Sequence, residues 1–450
     1  MRDAAVKLAP VLLALSLVPA FAQNNQPVVL QDVRLIDGTG APPRDHMQVT
    51  IENGRIREIR SALLRVAFPS NARILKLSGK TILPGLINGH GHLGLVKGTA
   101  VSPVNYTREN IGHQLAQYER YGITTTVSLG LNKDLLDELR AEQHEGKFGG
   151  AAILSADRGL GSPGGMPPVA VGGDQLDRVG TPEEARKAVD EMAARHADLV
   201  KIWVDDNLGK LPKQKPEVYT AAIGQAHKRG LRVAAHLYYQ SDAKQLLDAG
   251  VDIIAHSIRD SEIEPATIAA IKSRGVYYIP TLQLEEAFFI YAERPPWMSE
   301  PFFRRALSPA LNAQLNSSEY KTKIENDAAT VTHRQALRIA MTNAKKLYDA
   351  GALVAFGTDS GANPYRIQGF AEHRELELLV EAGIPPLAAL HSATGLNTRM
   401  LHLDTETGTV EKGKRADLLV VNADPVSDIT NTHRIALVFH NGKQVFPAGP

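Results

Sequence analysis

The fold of this chain is decided by residues 199–258, which read LVKIWVDDNLGKLPKQKPEVYTAAIGQAHKRGLRVAAHLYYQSDAKQLLDAGVDIIAHSI. Three short apolar runs, at 199–204, 232–237 and 252–258, are separated by longer stretches with a helical pattern. Each of these stretches ends at a glycine, Gly230 or Gly250, and glycine is a common helix stop. Short buried strands that alternate with helices predict a parallel sheet built from helical crossovers.

The same alternation continues on both sides of this stretch. It brings the predicted strands to eight, at residues 81–87, 124–129, 151–156, 199–204, 232–237, 252–258, 276–282 and 353–358. Helix signals follow most of them. In Thr181-Pro182-Glu183-Glu184, for example, an N-cap threonine precedes a proline at the first helical position and a capping-box glutamate. Eight strand–helix units in series predict an α/β fold, a closed (β/α)8 TIM barrel. An open doubly wound sheet is the alternative, although no G-x-G-x-x-G follows the first strand.

The two ends of the chain have a different, β-type pattern. Residues 28–78 contain alternating apolar pieces and the hairpin signal Glu52-Asn53-Gly54, and strand-like residues near the C-terminus precede an Asn441-Gly442 turn. We therefore predict a small β-sandwich domain formed by both chain ends, at residues 23–80 and 406–450.

The predicted barrel then occupies residues 81–405. Within it, residues from about 285 to 345 are too many for a connecting loop, and four prolines break their first half. We expect this segment to form a lid over the barrel mouth. A packing insertion remote from the site is the alternative.

The composition is that of an ordinary globular protein, with 43% hydrophobic residues, 22% charged residues and a net charge of +1. This balance gives no sign of a basic face for nucleic acid. The chain has no cysteine, which excludes a disulfide scaffold and a cysteine–zinc site. Any metal must therefore be held by histidine, carboxylate or a less usual ligand.

The first 22 residues have the pattern of a cleaved signal peptide. Arg2 and Lys7 give a basic start, an apolar run covers residues 8–17, and Ala20-Phe21-Ala22 is a cleavage pattern. A short membrane anchor is the alternative, but the run is too short to span about 30 Å of hydrocarbon. We expect an exported, periplasmic protein that starts near Gln23 and is not inserted in the membrane after cleavage.

Six side chains that could bind metal fall at the C-terminal ends of predicted strands, where barrel enzymes build their active sites. They are His90 and His92 in an H-x-H after the first strand, Lys201 in the fourth, His236 in the fifth, His256 in the sixth and Asp359 after the eighth. Residues i and i+2 of a strand project to the same side, so His90 and His92 can hold one ion. Nitrogen and oxygen ligands of this kind suit zinc or a similar transition metal.

Taken singly, each of these residues has a simpler interpretation. A lone histidine at a strand end is often structural, Asp359 could cap the next helix, and Lys201 could pair with a buried carboxylate. A buried, unpaired ammonium is costly. Lys201 could therefore instead react with CO2 to give an anionic carbamate that bridges two cations. The six positions together favour a metal site.

The combination resembles the amidohydrolase superfamily. The six residues occur in the expected order and on the expected strands, and two further segments match: Pro84-Gly85-Leu86-Ile87 and Gly413-Lys414-x-Ala416-Asp417-Leu418. Within the superfamily, Val200-Lys201-Ile202 and Ser162-Pro163-Gly164-Gly165 look like imidazolonepropionase-like and Xaa-Pro dipeptidase-like members. Some similar enzymes cleave ochratoxin-type amides. Asn88 is a departure, because the superfamily often has aspartate at this position.

The resemblance implies two divalent ions, with zinc the expected metal. Asp359 and carboxylated Lys201 would bind one ion with His90 and His92, and the carbamate would bind the other with His236 and His256. A hydroxide shared by the ions would attack the scissile carbonyl, and Asp359 would carry its proton to the leaving amine. The implied activity is hydrolysis of an amide bond in a small substrate such as a dipeptide, an N-acyl amino acid or an ochratoxin-like amide.

Other residues carry weaker expectations. Tyr238 should point into the barrel mouth two residues after His236 and contact substrate, with a packing role as the alternative. Arg158, after the third strand, could meet a substrate carboxylate, and a surface role is the alternative. Asp205 and Asp206 are expected as loop or cap residues. The remaining histidines are expected at the surface or behind the ligands.

Two rival functions remain open at this point. The first is a mononuclear-metal hydrolase or deaminase of cyclic C–N bonds, as in imidazolonepropionase-like enzymes. The second is a non-catalytic periplasmic binding protein, which would be expected to lack a ligand or the catalytic base, and neither is missing here. In all three readings the partner is a small molecule, and the sequence is compatible with a homo-oligomer.

Overall fold

The structure is a computed structural model that describes residues 26–64 and 66–447. The expected signal peptide at residues 1–22 lies outside the described residues. None of the described helices is long and apolar enough to cross a bilayer.

Parallel strands alternate with helices through the middle of the chain, as predicted. The eight strands are Leu86–Gly91, Ile123–Ser128, Ala152–Ser155, Leu199–Trp203, Arg232–His236, Ile253–Ala255, Tyr277–Ile279 and Leu353–Val354. The main helices between and after them are Arg108–Arg120, Leu135–His144, Pro182–Ala194, Pro216–Lys228, Gln240–Ala249, Pro265–Ser273, Ala329–Asp349 and Phe370–Glu381. The capping box at Thr181 is present and starts the third of these helices.

The eight strands belong to two parallel sheets that meet at both of their edges. The first three form one sheet, and the other five form the second together with Leu160–Gly161 and Asp177–Arg178. At one edge, the amide of His92 donates to the Ser360 carbonyl at 2.7 Å. At the other, the amide of Asp198 donates to the Ser155 carbonyl at 2.9 Å. The arrangement is barrel-like, but the described strands do not form one continuous ladder, so a closed barrel stays a prediction.

One layer of apolar side chains fills the space between the strands. Each strand, or the residue just after it, contributes at least one member of this buried cluster, which includes Ile87, Val127, Leu154, Leu199, Ala234, Ile253, Ile279 and Ala355. Alternate residues of a strand point the same way. Lys201 therefore follows Leu199 to the inside, and His236 follows Ala234. The cluster is thus the floor of the site at the C-terminal ends of the strands.

The chain ends build one eight-stranded sheet. Its order is Lys443–Phe446, Ile435–His440, Leu418–Val421, Thr81–Pro84, Val28–Leu35, Arg44–Glu52 and Arg55–Ser61, with Arg73–Lys76 also paired to Val28–Leu35. Both predicted hairpin turns are present: Asn53 and Gly54, and Asn441 and Gly442, all have positive φ, as tight hairpins require. The β-sandwich itself stays a prediction.

The predicted first barrel strand, residues 81–87, is divided between the two parts of the molecule. Thr81–Pro84 pairs with Leu418–Val421 in the end sheet, whereas Leu86–Gly91 pairs with Ile123–Ser128. The chain passes from one sheet to the other at Gly85, where a β-carbon would lie 2.3 Å from Thr124 Oγ1. Only glycine fits this close crossing, and the apolar pattern continues through it, so the division was not visible in the sequence.

The segment predicted as a lid consists mainly of helices, most of them short. Its elements before Ala329 are Leu282–Glu286, Ile290–Glu293, Pro296–Ser299, Pro301–Arg304, Pro309–Asn316 and Ser318–Asn326. The sequence of residues 320–349 has a continuous helical pattern, but the helix is interrupted at Asp327, which has an extended backbone. Shorter elements outside this segment are Val96–Lys97, Ala100–Val101, Pro103–Asn105, Pro386–His391, Ser392–Leu396, Asn397–Met400 and Ile429–His433.

Candidate active site

The six predicted metal ligands lie together at the C-terminal ends of the strands, and all are buried. The His90 and Lys201 side chains are fully buried, and His236, the most exposed of the six, is 8% exposed. The ring centroids of His90 and His256 are 4.6 Å apart, and those of His236 and His256 are 4.5 Å apart. Lys201 Nζ lies 3.4 Å from His90 Nε2. Strands far apart in sequence therefore bring these side chains into one cluster.

Asp359 links the H-x-H motif to the eighth strand. Its Oδ1 lies 3.1 Å from His90 Nε2 and 3.0 Å from His92 Nε2. Its Oδ2 pairs with the Arg366 guanidinium. The backbone of Asp359 has φ 59°, and that of His256 has φ 118°, conformations that side-chain-bearing residues rarely adopt. Such strain persists where the surroundings hold a side chain in one functional direction.

Burial sets the protonation of these groups. It lowers the pKa of His236, and it lowers the pKa values of His90 and His256 well below the usual range, so the imidazoles are neutral and can donate a lone pair. Burial also lowers the pKa of Lys201 to about 7, against the opposing effect of Asp359 and Asp205. Burial alone would raise the pKa of Asp359, but Arg366 and His90 hold this pKa well below the usual range.

The donor set fits a cation. Potential ligand atoms of His90, His256 and Asp359 all lie within 4.8 Å of one another. Two buried ring nitrogens in the cluster, His90 Nδ1 and His236 Nε2, have no hydrogen-bond partner among the described residues. His236 Nε2 is 2.6 Å from Asp205 Oδ2, but the two are not aligned as a hydrogen bond. A buried polar atom without a partner costs free energy, and at His236 Nε2 coordination of a metal would remove that cost. His90 faces Asp359 and Lys201 through its Nε2, so a metal bound there would leave His90 Nδ1 unpaired.

Hydrogen bonds behind the cluster fix the histidines. His256 Nδ1 is 2.9 Å from Thr281 Oγ1, and His92 Nδ1 is 3.3 Å from the Gly130 carbonyl. These contacts use Nδ1 and leave Nε2 of each ring for another partner. Metal-binding histidines are commonly oriented in this way.

Asn88 takes part in a buried network at the base of the H-x-H motif. Its Oδ1 accepts from the His90 amide at 3.1 Å, and its Nδ2 donates to Glu372 Oε1 at 2.9 Å. The hydroxyls of Thr358 and Ser360 donate to the same Glu372 oxygen, each at 2.7 Å. An asparagine suits this position because Glu372 already supplies the carboxylate that its amide requires.

The cluster faces a cavity of about 310 Å³. Loops after the first four strands line it mainly with apolar groups, including Leu95, Leu131, Met166, Val169, Trp203 and Leu208. Loops after the sixth to eighth strands line it mainly with charged or polar groups, including Arg259, Glu285, His333, Asp359 and Arg366. The cavity thus has an apolar wall and a charged wall.

Of the two residues predicted to contact substrate, only Tyr238 reaches this cavity. The Arg259 guanidinium lies over its ring, 4.8 Å from the centroid. Arg158 is not among the cavity-lining residues, and its Nη2 donates to Asp134 Oδ1 at 2.9 Å. The structure therefore does not bring Arg158 to the predicted site.

The structure adds four cavity residues that sequence reasoning missed, Asp205, Arg259, His333 and Arg366. Asp205 was expected as a loop or cap residue, but it is buried against His236. His333 was expected at the surface or behind the ligands, but it lines the cavity, and its Nδ1 lies 2.6 Å from Glu285 Oε2 in the charged wall. Both His333 and Glu285 belong to the predicted lid, so that segment is not remote from the site. Asp205 and Arg259 could have been identified as candidate site residues because each is a charged residue shortly after a predicted strand end.

Comparison with protein families matches residues 81–445 to the amidohydrolase family. The chain belongs to the amidohydrolase family. Its α/β fold is TIM-barrel-like, and His90, His256 and Asp359 are placed so that they could hold a metal ion.

Three relatives illustrate the similarity. An uncharacterised protein of Mycobacterium tuberculosis is 28% identical over 265 residues, and the match spans 56% of this amidohydrolase and 61% of the relative. The crystal structure of a candidate prolidase from Bifidobacterium longum is 27% identical, with a TM-score of 0.75 over 95% of this chain and 96% of the other. The A. niger ochratoxinase structure is 18% identical, with a TM-score of 0.72 over 93% and 96% of the two chains, and shares the fold.

Proposed function

We propose that this amidohydrolase is a binuclear metal enzyme that hydrolyses an amide bond in a small substrate such as a dipeptide, an N-acyl amino acid or an ochratoxin-like amide. The observation that carries the proposal is the fully buried Lys201 amine amid four histidines and an aspartate. The descriptions of the relatives as a prolidase and an ochratoxinase support an amide as the bond that is cleaved.

Zinc is the proposed metal, because the ligands are neutral imidazoles and oxygen donors. His90, His92, Asp359 and carboxylated Lys201 would hold one ion, and carboxylated Lys201, His236 and His256 the other. When bound, the ions would supply an activated water and polarise the scissile carbonyl. Carbamate formation needs an unprotonated amine, and the pKa of about 7 gives Lys201 a substantial unprotonated fraction at neutral pH.

The chain's own residues would move the proton. Asp359 is ionised at neutral pH because its pKa is held well below the usual range, so its carboxylate can accept a proton from the attacking water. The same carboxylate can then donate that proton to the leaving amine. The buried setting limits competing water, and the closed barrel and lid that we propose around the cavity would limit it further.

One observation favours a second candidate. In the part of the chain that the structure describes, His90, His256 and Asp359 form the only group of three histidine or carboxylate residues whose ligand atoms all lie within 4.8 Å of one another, and three ligands are enough for one ion. A mononuclear hydrolase or deaminase of cyclic C–N bonds is therefore the alternative to the binuclear enzyme.

A hydrolysis screen with defined metal content tests both candidates. Metal-free protein is reloaded with zero, one and two equivalents of zinc in bicarbonate buffer, then assayed on dipeptides, N-acyl amino acids, lactones and cyclic ureas. We expect amide hydrolysis that needs the second equivalent. Full activity at one equivalent, or activity on cyclic compounds alone, would favour the mononuclear enzyme. No hydrolysis of any compound would contradict both.

We also propose export to the periplasm after cleavage at Ala22. The support is the sequence pattern of residues 1–22. Expression of the full chain in a Gram-negative host should give a periplasmic form whose N-terminal sequence starts near Gln23. A protein that keeps Arg2, or that stays in the cytoplasm, would contradict this proposal.

A further inference from the structure

Arg366 is a largely, but not fully, buried cation at the edge of the candidate active site. It follows the eighth strand in the loop before Phe370–Glu381, lines the cavity, and has a side chain that is 11% exposed. Its guanidinium also lies against the Phe288 ring, 5.3 Å from the centroid. A charge in such a place requires a partner, because burial of an unpaired guanidinium is costly.

The Arg366 guanidinium is only partly used within the protein. Nη1 pairs with Asp359 Oδ2. Among the described residues, Nε and Nη2 have no hydrogen-bond partner. Neither atom is among the fully buried unpartnered atoms, so both keep some exposure to solvent. One edge of a planar, five-donor group therefore remains available to a ligand, and this geometry suits a carboxylate.

The other carboxylate in the charged wall does not fill this role. Glu285 Oε1 lies 2.7 Å from Arg259 Nε, and Glu285 Oε2 lies 2.6 Å from His333 Nδ1. Both of its oxygens are thus engaged. If Asp359 binds metal as proposed, its charge is shared with the cation, and the Arg366 charge is then less compensated, with Glu285 as the other carboxylate that acts on it.

We infer that Arg366 is a specificity-determining residue that binds a carboxylate on the carbon next to the scissile nitrogen. This inference rests on the proposed function. Arg366 touches Asp359, the residue proposed to protonate the leaving amine, so a carboxylate on Arg366 lies close to that nitrogen. The preferred substrates are therefore amides whose nitrogen belongs to an α-amino acid, with the acyl group directed to the apolar wall.

The test compares an acid with its uncharged amide. Binding of L-phenylalanine and L-phenylalaninamide to the zinc-loaded protein is measured by titration calorimetry, and kcat/KM is measured for N-acetyl-L-phenylalanine and N-acetyl-L-phenylalaninamide. Hydrogen bonds to charged groups predict a preference for the acid of about 10- to 100-fold. Arg366→Gln should reduce this ratio to nearly one, and Arg366→Lys, which keeps the charge without the planar fork, should give an intermediate ratio.

The acid-to-amide ratio separates recognition from a general loss of activity, because damage to Asp359 lowers both members of a pair. Arg158→Gln is the matched variant at the other arginine considered for this role, and it should keep the wild-type ratio. Equal binding of acid and amide by the wild-type protein, no binding of either, or an unchanged ratio in Arg366→Gln would overturn the inference. Hydrolysis of amides without acid preference would overturn it while leaving the proposed function intact. If Arg366→Gln does not fold, the wild-type and Arg366→Lys ratios still decide the result.

Discussion

At the scale of single residues, Asp359 combines two proposed duties that a substitution can separate. Asp359→Asn keeps the shape and one coordinating oxygen but cannot carry a proton. We expect metal content to fall modestly and kcat to fall by about 10²–10⁴-fold, the usual contribution of a general acid–base group. His236→Asn, which removes only a ligand, should lower metal content and activity together. Metal per chain by elemental analysis and kcat are measured for both variants, and near-normal kcat in metal-loaded Asp359→Asn would show that Asp359 is not the proton carrier.

Lys201 provides a second prediction at this scale. Protein equilibrated with ¹³C-bicarbonate and zinc should show one carbamate carbon by NMR, and Lys201→Ala should lose that signal. The same variant should lose most activity and regain part of it with acetate or propionate, because a small carboxylate can occupy the space of the carbamate. Lys201→Met, which is similar in length and uncharged, controls for packing. A labelled carbon that persists in either variant would contradict the assignment.

The clustering of the six candidate ligands could be predicted because each position depends on local pattern: a strand end and the alternation of side chains along it. Lys201 and His236 point inward because Leu199 and Ala234 two residues earlier belong to the barrel core. Arg366 and His333 could not be predicted in the same way. Their positions depend on the paths of a loop and of the lid, which no short-range pattern specifies.

At the scale of elements, the first strand is attached to the eighth and to Phe370–Glu381 through Asn88 and Glu372. Asn88→Asp would place a second carboxylate 2.9 Å from Glu372, whose pKa is already raised by burial. One carboxyl must then be protonated for the pair to share a hydrogen bond. The folded-state pKa of the protonated carboxyl is raised. The stability that its protonation gives the folded protein is therefore present at low pH and is lost as the pH rises through that pKa.

We therefore expect the free energy of unfolding of Asn88→Asp, relative to wild type, to be about 1–3 kcal/mol lower at pH 8 and to recover towards pH 5. Urea unfolding at the two pH values measures this difference. Asn53→Asp, at an exposed hairpin turn, is the matched control and should show no such recovery. A pH-independent difference for Asn88→Asp would mean that the second carboxylate is accommodated without protonation.

Element boundaries were harder to predict than the elements themselves. The apolar pattern of residues 81–87 continues through Gly85, although the chain changes sheets there. Likewise, the helical pattern of residues 320–349 continues through Asp327, where the helix is broken. In both places the boundary is set by contacts with distant segments, such as Thr124 against Gly85.

At the scale of the whole molecule, the C-terminal strands are part of the core. All four side chains of Leu418–Val421 are buried, and the strand pairs with Thr81–Pro84 just before the first barrel strand. Burial of such apolar side chains is worth about 1.5–3 kcal/mol each. The four together are therefore comparable with the total stability of about 5–15 kcal/mol of a typical domain.

We therefore expect residues 23–405 alone to lack cooperative thermal unfolding and stoichiometric metal binding. A chain that ends at residue 442, which lacks only the edge strand Lys443–Phe446, is the control and should fold with a lower melting temperature. Circular dichroism and elemental analysis measure the two properties. A cooperative, metal-loaded 23–405 fragment would show that the barrel is independent of the end sheet.

The shared end sheet also determines how the molecule would respond to tension. The first and last described strands both belong to this sheet, so a pull on the two ends loads it before any strand that carries a candidate metal ligand. Lys443–Phe446 is an edge strand and would peel away one hydrogen bond at a time, whereas Val28–Leu35 has neighbours on both sides and must be sheared. Attachment to a surface through the C-terminus would therefore strain a peripheral hairpin first, while His90 and its partners remain beyond the crossing at Gly85.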